Sequence, residues 1–581
     1  MIKVNLKSFC KKNQFILVIG VISFAFFPLI KNWKADPFTS DVDQYYSYIV
    51  ALFIHNDLSF SFPNPYWLHT GPIGYPIQKM SLGIAILYLP LFLVGHGIAL
   101  LFNVDPTGYT APYSYSIAFG TIIYVLIGLH YLRSALLYYF PKTAVNATIL
   151  CIYFGTNLLY YTIGWGLMSH SYLFFMMCIV IYGTHHWYQT HQKKHIIAVA
   201  FFIGLMTVSR PIEIAFLLFP LLFGINSIKD FKYRIKELWT YRIQIIIAAI
   251  FFLVPFLPQL LYWKTYADSW IYFSYGEEGF FFDNPHIWEV LFSFRKGLFI
   301  YTPIILFSFI GLAFSFKKKY FIATTSYIVI NLFLVSSWWC WWYGGSFGMR
   351  ALIQSFAVLA FPMAFVLSYL FNRLKKITIG VISFFILFSI IQTYQYSYNF
   401  INWDSMTKKA YTFSLFNFKY NKIERAYFNH VLVSPDYDAA LTGKRDKEML
   451  NHNSTINFNE LLALDEFEIL DQKHEYTKPL KKQRSKLKLT PKDSIQFNAI
   501  AVNIGKETII VNSVVDIYSN NHINQFKKQF IILKQDKINL NQRFIPEVIQ
   551  NTTDSIKCYF QLINGEDLVI YNKQIITKEA K

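Results

Sequence analysis

The chain has 581 residues, 54% of them hydrophobic and only 15% charged, with a formal charge of +19. A soluble domain has about 25% charged residues, whereas here the apolar residues come in nearly charge-free blocks of about the 20 residues that cross a bilayer as a helix. That excludes an ordinary soluble globular protein and describes a polytopic α-helical membrane protein, because in lipid every backbone polar group must pair within its own segment.

In chain order, a basic N-terminus precedes Gln14–Ile30, which lacks a small-residue cleavage site and reads as an uncleaved first span. Further spans are expected near 82–102, 116–139, 146–162, 167–188, 196–209, 211–226, 243–263, 297–315, 320–336, 351–371 and 377–397. We expect about 11–13 transmembrane helices in all. Much of the positive charge sits in short loops between them: Lys11 and Lys12, Lys193 and Lys194, Lys229 to Arg242, Lys317 to Lys319, and Arg373 to Lys376. On a soluble protein such charge suggests nucleic acid. Here it is the positive-inside signal, so no nucleic-acid partner is expected. The basic stretch Lys478 to Lys488 reads as a solvated loop.

This charge pattern puts the N-terminus in the cytoplasm and the chain after residue 398 outside. Twelve full crossings would return it to the cytoplasm. The conflict lies between 81 and 145, where the loop 103–115 has no Lys or Arg to orient it. Either one span there is misread or a thirteenth is hidden.

Two outer loops are long. Residues 31–80 carry Asp36, Asp41, Asp43, Tyr45, Tyr46 and Lys79, and the helical spacing of Asp43 to Leu58 predicts an interfacial amphipathic helix. Residues 264–296 are rich in aromatics and acids and end in Arg295-Lys296. Residues 1–400 thus form a membrane domain. Residues 401–494 read as an irregular connecting region. Residues 495–581 show short apolar runs separated by Asn, Asp, Gly and Lys: Ala499–Asn503, Thr508–Val515, Phe530–Leu533 and Leu568–Tyr571. That is the pattern of a β-rich, sandwich-like domain, expected outside the cytoplasm.

Three segments can carry chemistry. Ser40-Asp41-Val42-Asp43-Gln44-Tyr45-Tyr46 places carboxylates just beyond the first span, where one can act as a base or bind a hydroxyl or a metal; solvated loop acids are the plain alternative. Ser209-Arg210-Pro211 lies at the tip of an apolar hairpin, where a cation either snorkels or binds something such as a lipid phosphate. Trp338-Trp339-Cys340-Trp341-Trp342-Tyr343-Gly344-Gly345-Ser346-Phe347-Gly348-Met349-Arg350 is more than an aromatic belt. Its glycines permit close backbone approach, and guanidinium suits phosphate. Met168-Ser169-His170 and the turn Arg295-Lys296-Gly297 are expected on the same side.

Other features carry less. His185, His186, His191 and His195 crowd one cytoplasmic loop with no accompanying carboxylate, so no metal site is assigned. Of the five cysteines, Cys10, Cys151, Cys178 and Cys340 lie in or beside spans and Cys558 stands alone, so no disulfide framework is expected. No phosphate-binding or dinucleotide glycine loop is present, and no cofactor is indicated.

Taken in order, these segments resemble the GT-C class of polytopic glycosyltransferases, which includes relatives of the protein O-mannosyltransferases and the lipid A aminoarabinose transferases. The resemblance spans roughly 14–371. It rests on one span, a long outer loop with an Asp, a Ser-His pair, Ser209-Arg210-Pro211, Arg295-Lys296-Gly297-Leu298-Phe299-Ile300-Tyr301-Thr302-Pro303, and the run Tyr343 to Arg350. The last two are similar to the R-G-L-f-x-x-[ST]-P and G-G-x-s-F-G-x-R patterns of bacterial members. The Asp motif departs from the Asp-Glu of many relatives: Val42 takes the Glu position, leaving Asp41 and Asp43 both in play.

The resemblance implies a polyprenyl-phosphate sugar donor, an extracytoplasmic acceptor and an active site facing away from the cytoplasm of a bacterial inner membrane. Asp41 would deprotonate or orient the acceptor hydroxyl. Arg210, Arg350 and one of Lys79 or Arg295 would hold the departing phosphate. Tyr45, His170 and Tyr343 would contact substrate. The rival reading is a transporter or flippase of a lipid-linked glycan, which should show repeat-related halves and a midplane site.

Overall fold

The computed structural model describes residues 6–30, 38–62, 68–443, 468–470, 477–478, 480–483, 494–504, 509–519, 522–532, 536–544, 555–564 and 568–578. Asp36 and most of Lys478 to Lys488 lie outside them. The chain divides into two units, residues 1–416 with 433–448, and residues 417–432 with 449–581.

The first unit is helical. Helix α1 (Leu6–Phe26) ends where Pro28 tightens Phe27–Leu29 into a 3₁₀ turn. Helix α2 (Asp41–Val50) carries Asp41 and Asp43 in its first turn, where the helix dipole favours carboxylates. It continues through a π-turn, Ala51–His55, and stops at Asn56 in the left-handed region. Just beyond, Asp57 accepts the N–H and hydroxyl of both Ser59 and Ser61. Those bonds, Ser59's first, hold its carboxyl well below the usual range. A hairpin of β1 (Leu68–Thr70) and β2 (Pro76–Gln78) leads to α3 (Gly83–Leu101) and α4 (Ala111–Leu136).

Helices α3 and α4 settle the crossing count. The two are antiparallel: Gly95 packs on Tyr113 and Gly120 on Leu91. Helix α4 is also antiparallel to α1, with Phe119 against Phe27 at 5.1 Å and Arg133 over Phe15 at 5.4 Å. So α3 runs in the same direction as α1. It begins beside Ser209 and Gln259, and the loop after it touches α2, where the Tyr46 hydroxyl donates to the Gly108 carbonyl at 2.5 Å. The expected crossing at 82–102 is therefore corrected. That segment is apolar enough to span, but it starts and finishes near α2, and its connecting loop has no basic residue to hold it at the other end.

The remaining passes follow in order. They are α5 (Lys142–Phe154), which precedes the short α6 (Leu158–Ile163), then α7 (Ser169–Thr190), α8 (Lys193–Ser209), and the apolar stretch Pro211–Leu222, which ends in α9 (Leu218–Leu222). The amphipathic α10 (Ile228–Thr240) precedes a continuous pass through α11 (Arg242–Leu253) and α12 (Leu257–Ala267). Beyond the outer loop with α13 (Ile287–Phe292) and α14 (Leu298–Tyr301) come Pro303–Phe314, containing α15 (Leu306–Phe314), then α16 (Phe321–Ser337), α17 (Phe356–Arg373) and α18 (Lys375–Ser397). With α1 and α4 that makes eleven helical passes among the described residues, an odd number. Among the described residues five helical stretches, α3 one of them, are long and apolar enough to cross alone. Small residues let the passes approach closely: a Cβ on Gly204 would meet the Phe252 carbonyl at 2.1 Å.

Every basic loop falls at one end of these passes, and Asp41, His170, Arg210 and Arg350 fall at the other. A cysteine at Asp105 should be labelled by an impermeant maleimide from the same side as one at Ile73, and from the opposite side to one at Lys318. The native cysteines described are buried, so background labelling is low. If Asp105 labels with Lys318 instead, 82–102 is a full crossing after all.

After α18, α19 (Lys408–Ser414) and, further on, α21 (Tyr437–Leu441) complete the first unit, which also accounts for part of the stretch read as irregular. The second unit begins with α20 (Lys422–His430), opened by a capping box of Asn421 and Glu424. It is a β-sandwich of two antiparallel four-stranded sheets. One orders β3 (Glu468–Leu470), β10 (Leu568–Lys578), β5 (Ser494–Asn503) and β8 (Lys537–Phe544). The other orders β4 (Leu480–Gln483), β9 (Ser555–Asn564), β6 (Ile509–Ser519) and β7 (His522–Ile532). Alternate residues point inward, as a pleat requires: Phe497, Ala499 and Ala501 meet Val511, Val515 and Phe560 in the core. Ile423 of α20 packs on the other face, against Val502, Val569 and Tyr571. Two strands, β3 and β4, precede residue 495, so the sandwich starts earlier than its apolar runs suggest.

Candidate active site

The chain enters α2 through Ser40 at a φ of 55°, a strained conformation for a residue with a side chain. That turn presents Asp41 at the helix N-terminus. Its Oδ2 lies 3.1 Å from Nη2 of Arg350, with 21% and 12% of the two side chains exposed. Arg350 has few other partners. Among the described residues Nη1 has only the soft sulfur of Met168 at 4.0 Å, and the buried Nε has no partner. A buried guanidinium with unused donors is costly unless something else binds them.

The turn before Arg350 explains its glycines. Tyr343, Gly344 and Gly348 all have φ between 55° and 61°. A Cβ at Gly348 would also meet Tyr301, and one at Gly345 would meet the Trp403 ring at 2.6 Å. These two glycines thus seat the turn against side chains; only at Gly344 does the backbone face open space. The Phe347 N–H donates to the Tyr161 hydroxyl and its carbonyl accepts from Asn157, both at 2.9 Å. Lys296, 1% exposed, donates to the carbonyls of Ser346 and Trp403. Burial first, then the neighbouring Arg350 and Arg295, pushes its ammonium well below the usual lysine range, against the pull of Asp404.

Arg210 ends α8 in extended conformation. Its Nη1 donates to Nδ1 of His170 at 3.2 Å, and the guanidinium lies 5.7 Å from the centre of the Tyr343 ring. As an acceptor, Nδ1 must be unprotonated, so His170 stands here as neutral imidazole. One turn beyond Arg210, Glu213 is fully buried. Its Oε1 accepts from Gln354 at 2.6 Å while Oε2 has no partner among the described residues. Glu213 is the functional candidate missed by sequence reasoning. The signal was present: an acid inside an apolar pass, three residues from a candidate arginine.

Tyr45 is buried beside Asp41, Arg210, Arg350 and Ser169; burial above all raises its phenol, so it stays a neutral donor. Asp43 is placed elsewhere. It is fully buried, and the Tyr109 hydroxyl donates to its Oδ1 at 3.2 Å. Lys79 pairs with Glu278 and stands 5.4 Å from the Tyr275 ring, joining the two outer loops at the edge of the cluster. Arg295 lies behind the glycine turn, 5.7 Å from the Trp342 ring. So Asp41, Tyr45, His170, Arg210, Tyr343 and Arg350 come together, Lys79 and Arg295 border them, and Asp43 does not face them. Among the described residues no group of three His, Cys, Asp or Glu could hold a metal ion.

Asp43→Asn should therefore lower stability, by about 1–3 kcal/mol for a disturbed buried hydrogen bond, more than it lowers activity per folded molecule. Loss of activity in Asp43→Asn at unchanged melting temperature, with Asp41→Asn active, would exchange the two roles.

Fold and site together describe a multi-pass helical membrane protein with a charged cluster at one end and a β-sandwich in its C-terminal part. No protein-family model and no curated protein sequence matches the chain. Solved structures do show a likeness. One is ArnT from Cupriavidus metallidurans bound to undecaprenyl phosphate, with a TM-score of 0.40 and 12% identity, covering 71% of this chain and 68% of that one. The apo state of the same protein gives 0.42 and 12%, over 71% and 67%. The oligosaccharyltransferase of Archaeoglobus fulgidus in its apo form gives 0.37 and 14%, over 76% and 61%.

Proposed function

We propose that the protein is a membrane glycosyltransferase that moves a sugar from a polyprenyl-phosphate donor to an extracytoplasmic acceptor. The observation that carries the reading is the Asp41–Arg350 pair, with its unused guanidinium donors beside the second arginine, Arg210. This is a base and an anion site in one place, at the end of the bundle away from the basic loops. The motifs that resemble the GT-C class supply the same residues.

The chemistry follows from the geometry. The donor phosphate competes for the fork of Arg350 and frees the Asp41 carboxylate. An acceptor hydroxyl attacks the anomeric carbon, its proton passes to Asp41, and the bond from that carbon to the phosphate oxygen breaks. The electron pair leaves with the polyprenyl phosphate. Arg350 and Arg210 stabilise the charge developing there, as preorganised donors do best in a site that excludes water. In this reading Tyr45, a neutral donor, and the Tyr343 ring orient the sugar.

A cell-free assay tests this. Purified protein in vesicles, given radiolabelled polyprenyl-phosphate sugars and envelope acceptors, should release polyprenyl phosphate and label an acceptor. Transbilayer movement of the intact lipid-linked sugar, with no transfer, would replace this reading by a flippase.

A further inference from the structure

Helix α10 is the feature that the transfer chemistry leaves unused. It sits at the basic end, between Pro211–Leu222 and the α11 pass. One face is clamped to the protein. Arg234 donates to the carbonyls of Pro220, Leu221 and Phe223 and lies 3.6 Å from the Tyr188 ring. Glu237 pairs with Arg234 at 3.2 Å and with His191 at 2.9 Å. Asp230 is engaged by the Ser227 hydroxyl and the Asn226 N–H at the helix start. Both acids of the helix are thus turned to structural tasks.

The rest of the helix is uncovered. Ile228, Phe231, Ile235 and Trp239 recur at spacings of three and four, which puts them in one stripe. They are 78%, 49%, 55% and 71% exposed. Beside the stripe stand Lys229, Lys232 and Lys236, all exposed. The apolar stripe runs on into Ile243, Ile246 and Ile250 of α11, which are 68%, 60% and 58% exposed and face where lipid must be. A helix with an open apolar stripe, a terminal Trp and a flanking lysine row lies in the plane of a membrane interface. The lysines then reach the headgroup layer.

We propose that α10 is an anionic-lipid binding site: its stripe sinks into the leaflet at the basic end and its lysine row binds phosphate headgroups of acidic phospholipids. The occupant is committed by the chemistry. The stripe is continuous with the lipid-facing surface of α11, the row carries one sign of charge, and both nearby acids are spoken for. The role is independent of the transfer reaction at the other end.

The test uses the full-length protein in nanodiscs of phosphatidylcholine doped with spin-labelled phosphatidylglycerol or spin-labelled phosphatidylcholine. Wild type should immobilise the acidic lipid preferentially, less so as salt rises. Each lysine near the surface is worth about fivefold in binding. K229Q/K232Q/K236Q should lose most of the preference at unchanged thermal stability. K317Q/K318Q/K319Q, an equal loss of charge in a loop of the same end, should lose little. Equal losses in the two triple variants would assign the preference to the general field and overturn the proposal, as would full retention in the first. A nitroxide at I235C should be relaxed by oxygen and shielded from an aqueous nickel complex; the reverse would also overturn it.

Discussion

Asp41→Asn is expected to lower sugar transfer by about 10²–10⁴-fold, the usual worth of a positioned general base, with expression and melting temperature close to wild type. The substitution keeps the shape of the side chain and its place in the first turn of α2. An amide oxygen can still accept from Arg350, so the turn that carries Arg350 stays in position. What is lost is the carboxylate charge that the proposed reaction uses to take the hydroxyl proton. Donor binding should survive or tighten, because the phosphate no longer competes with a carboxylate for the guanidinium 3.1 Å away. Turnover therefore falls while donor affinity holds or rises, which a merely structural acid would not produce. The measurement is single-turnover transfer alongside binding of a non-transferable donor analogue. Wild-type turnover in the variant would remove Asp41 as the base.

Much of the architecture was legible because its signals are local. Apolar blocks, basic loops and alternating strands each declare themselves within about twenty residues. The segment 82–102 shows the limit. Its hydropathy is that of a span, yet its direction depends on Gly95 and Leu91 meeting Tyr113 and Gly120 of α4, on Phe119 of α4 meeting Phe27, and on Tyr46 meeting Gly108, which no local pattern reveals. β3 and β4 were missed for a related reason. At three and four residues they are too short to show alternation, and they form by pairing with β10 about a hundred residues away and with β9 about seventy-five residues away.

The candidate site divides in the same way. Asp41, Arg210 and Arg350 stand out as charges beside apolar segments. Asp43 follows Asp41 by two residues, about 200° around the helix, which sends one carboxylate to Arg350 and the other to Tyr109. Glu213 was hidden by its setting. Its neighbours Ile212, Ile214 and Ala215 make the segment read as a plain span, and the Gln354 amide that donates to it in the interior comes from the chain far beyond. Lys296 reads as part of the turn Arg295-Lys296-Gly297 with no role of its own; its side-chain nitrogen is buried and pins Ser346 to Trp403.

Arg350→Lys should weaken donor binding strongly, and Arg350→Ala should weaken it further. An arginine that merely snorkelled could be exchanged for lysine with little effect. This one is different in geometry. It follows a turn that Gly344 and Gly348 hold at positive φ, Nη2 faces Asp41, and Nε has no protein partner among the described residues. Lysine can replace the charge but not the planar fork that meets two phosphate oxygens at once. Loss of one charged hydrogen-bonded partner costs about 1.5–3 kcal/mol, or roughly ten- to hundredfold in affinity. The alanine variant also leaves Asp41 without its counter-ion, so thermal stability must be matched before affinities are compared. The decisive comparison is binding of a non-transferable polyprenyl-phosphate donor analogue to wild type, Arg350→Lys and Arg350→Ala. A rank order of wild type above lysine above alanine supports the phosphate role. Equal affinity for wild type and alanine would leave Arg350 as a partner of Asp41 and nothing more.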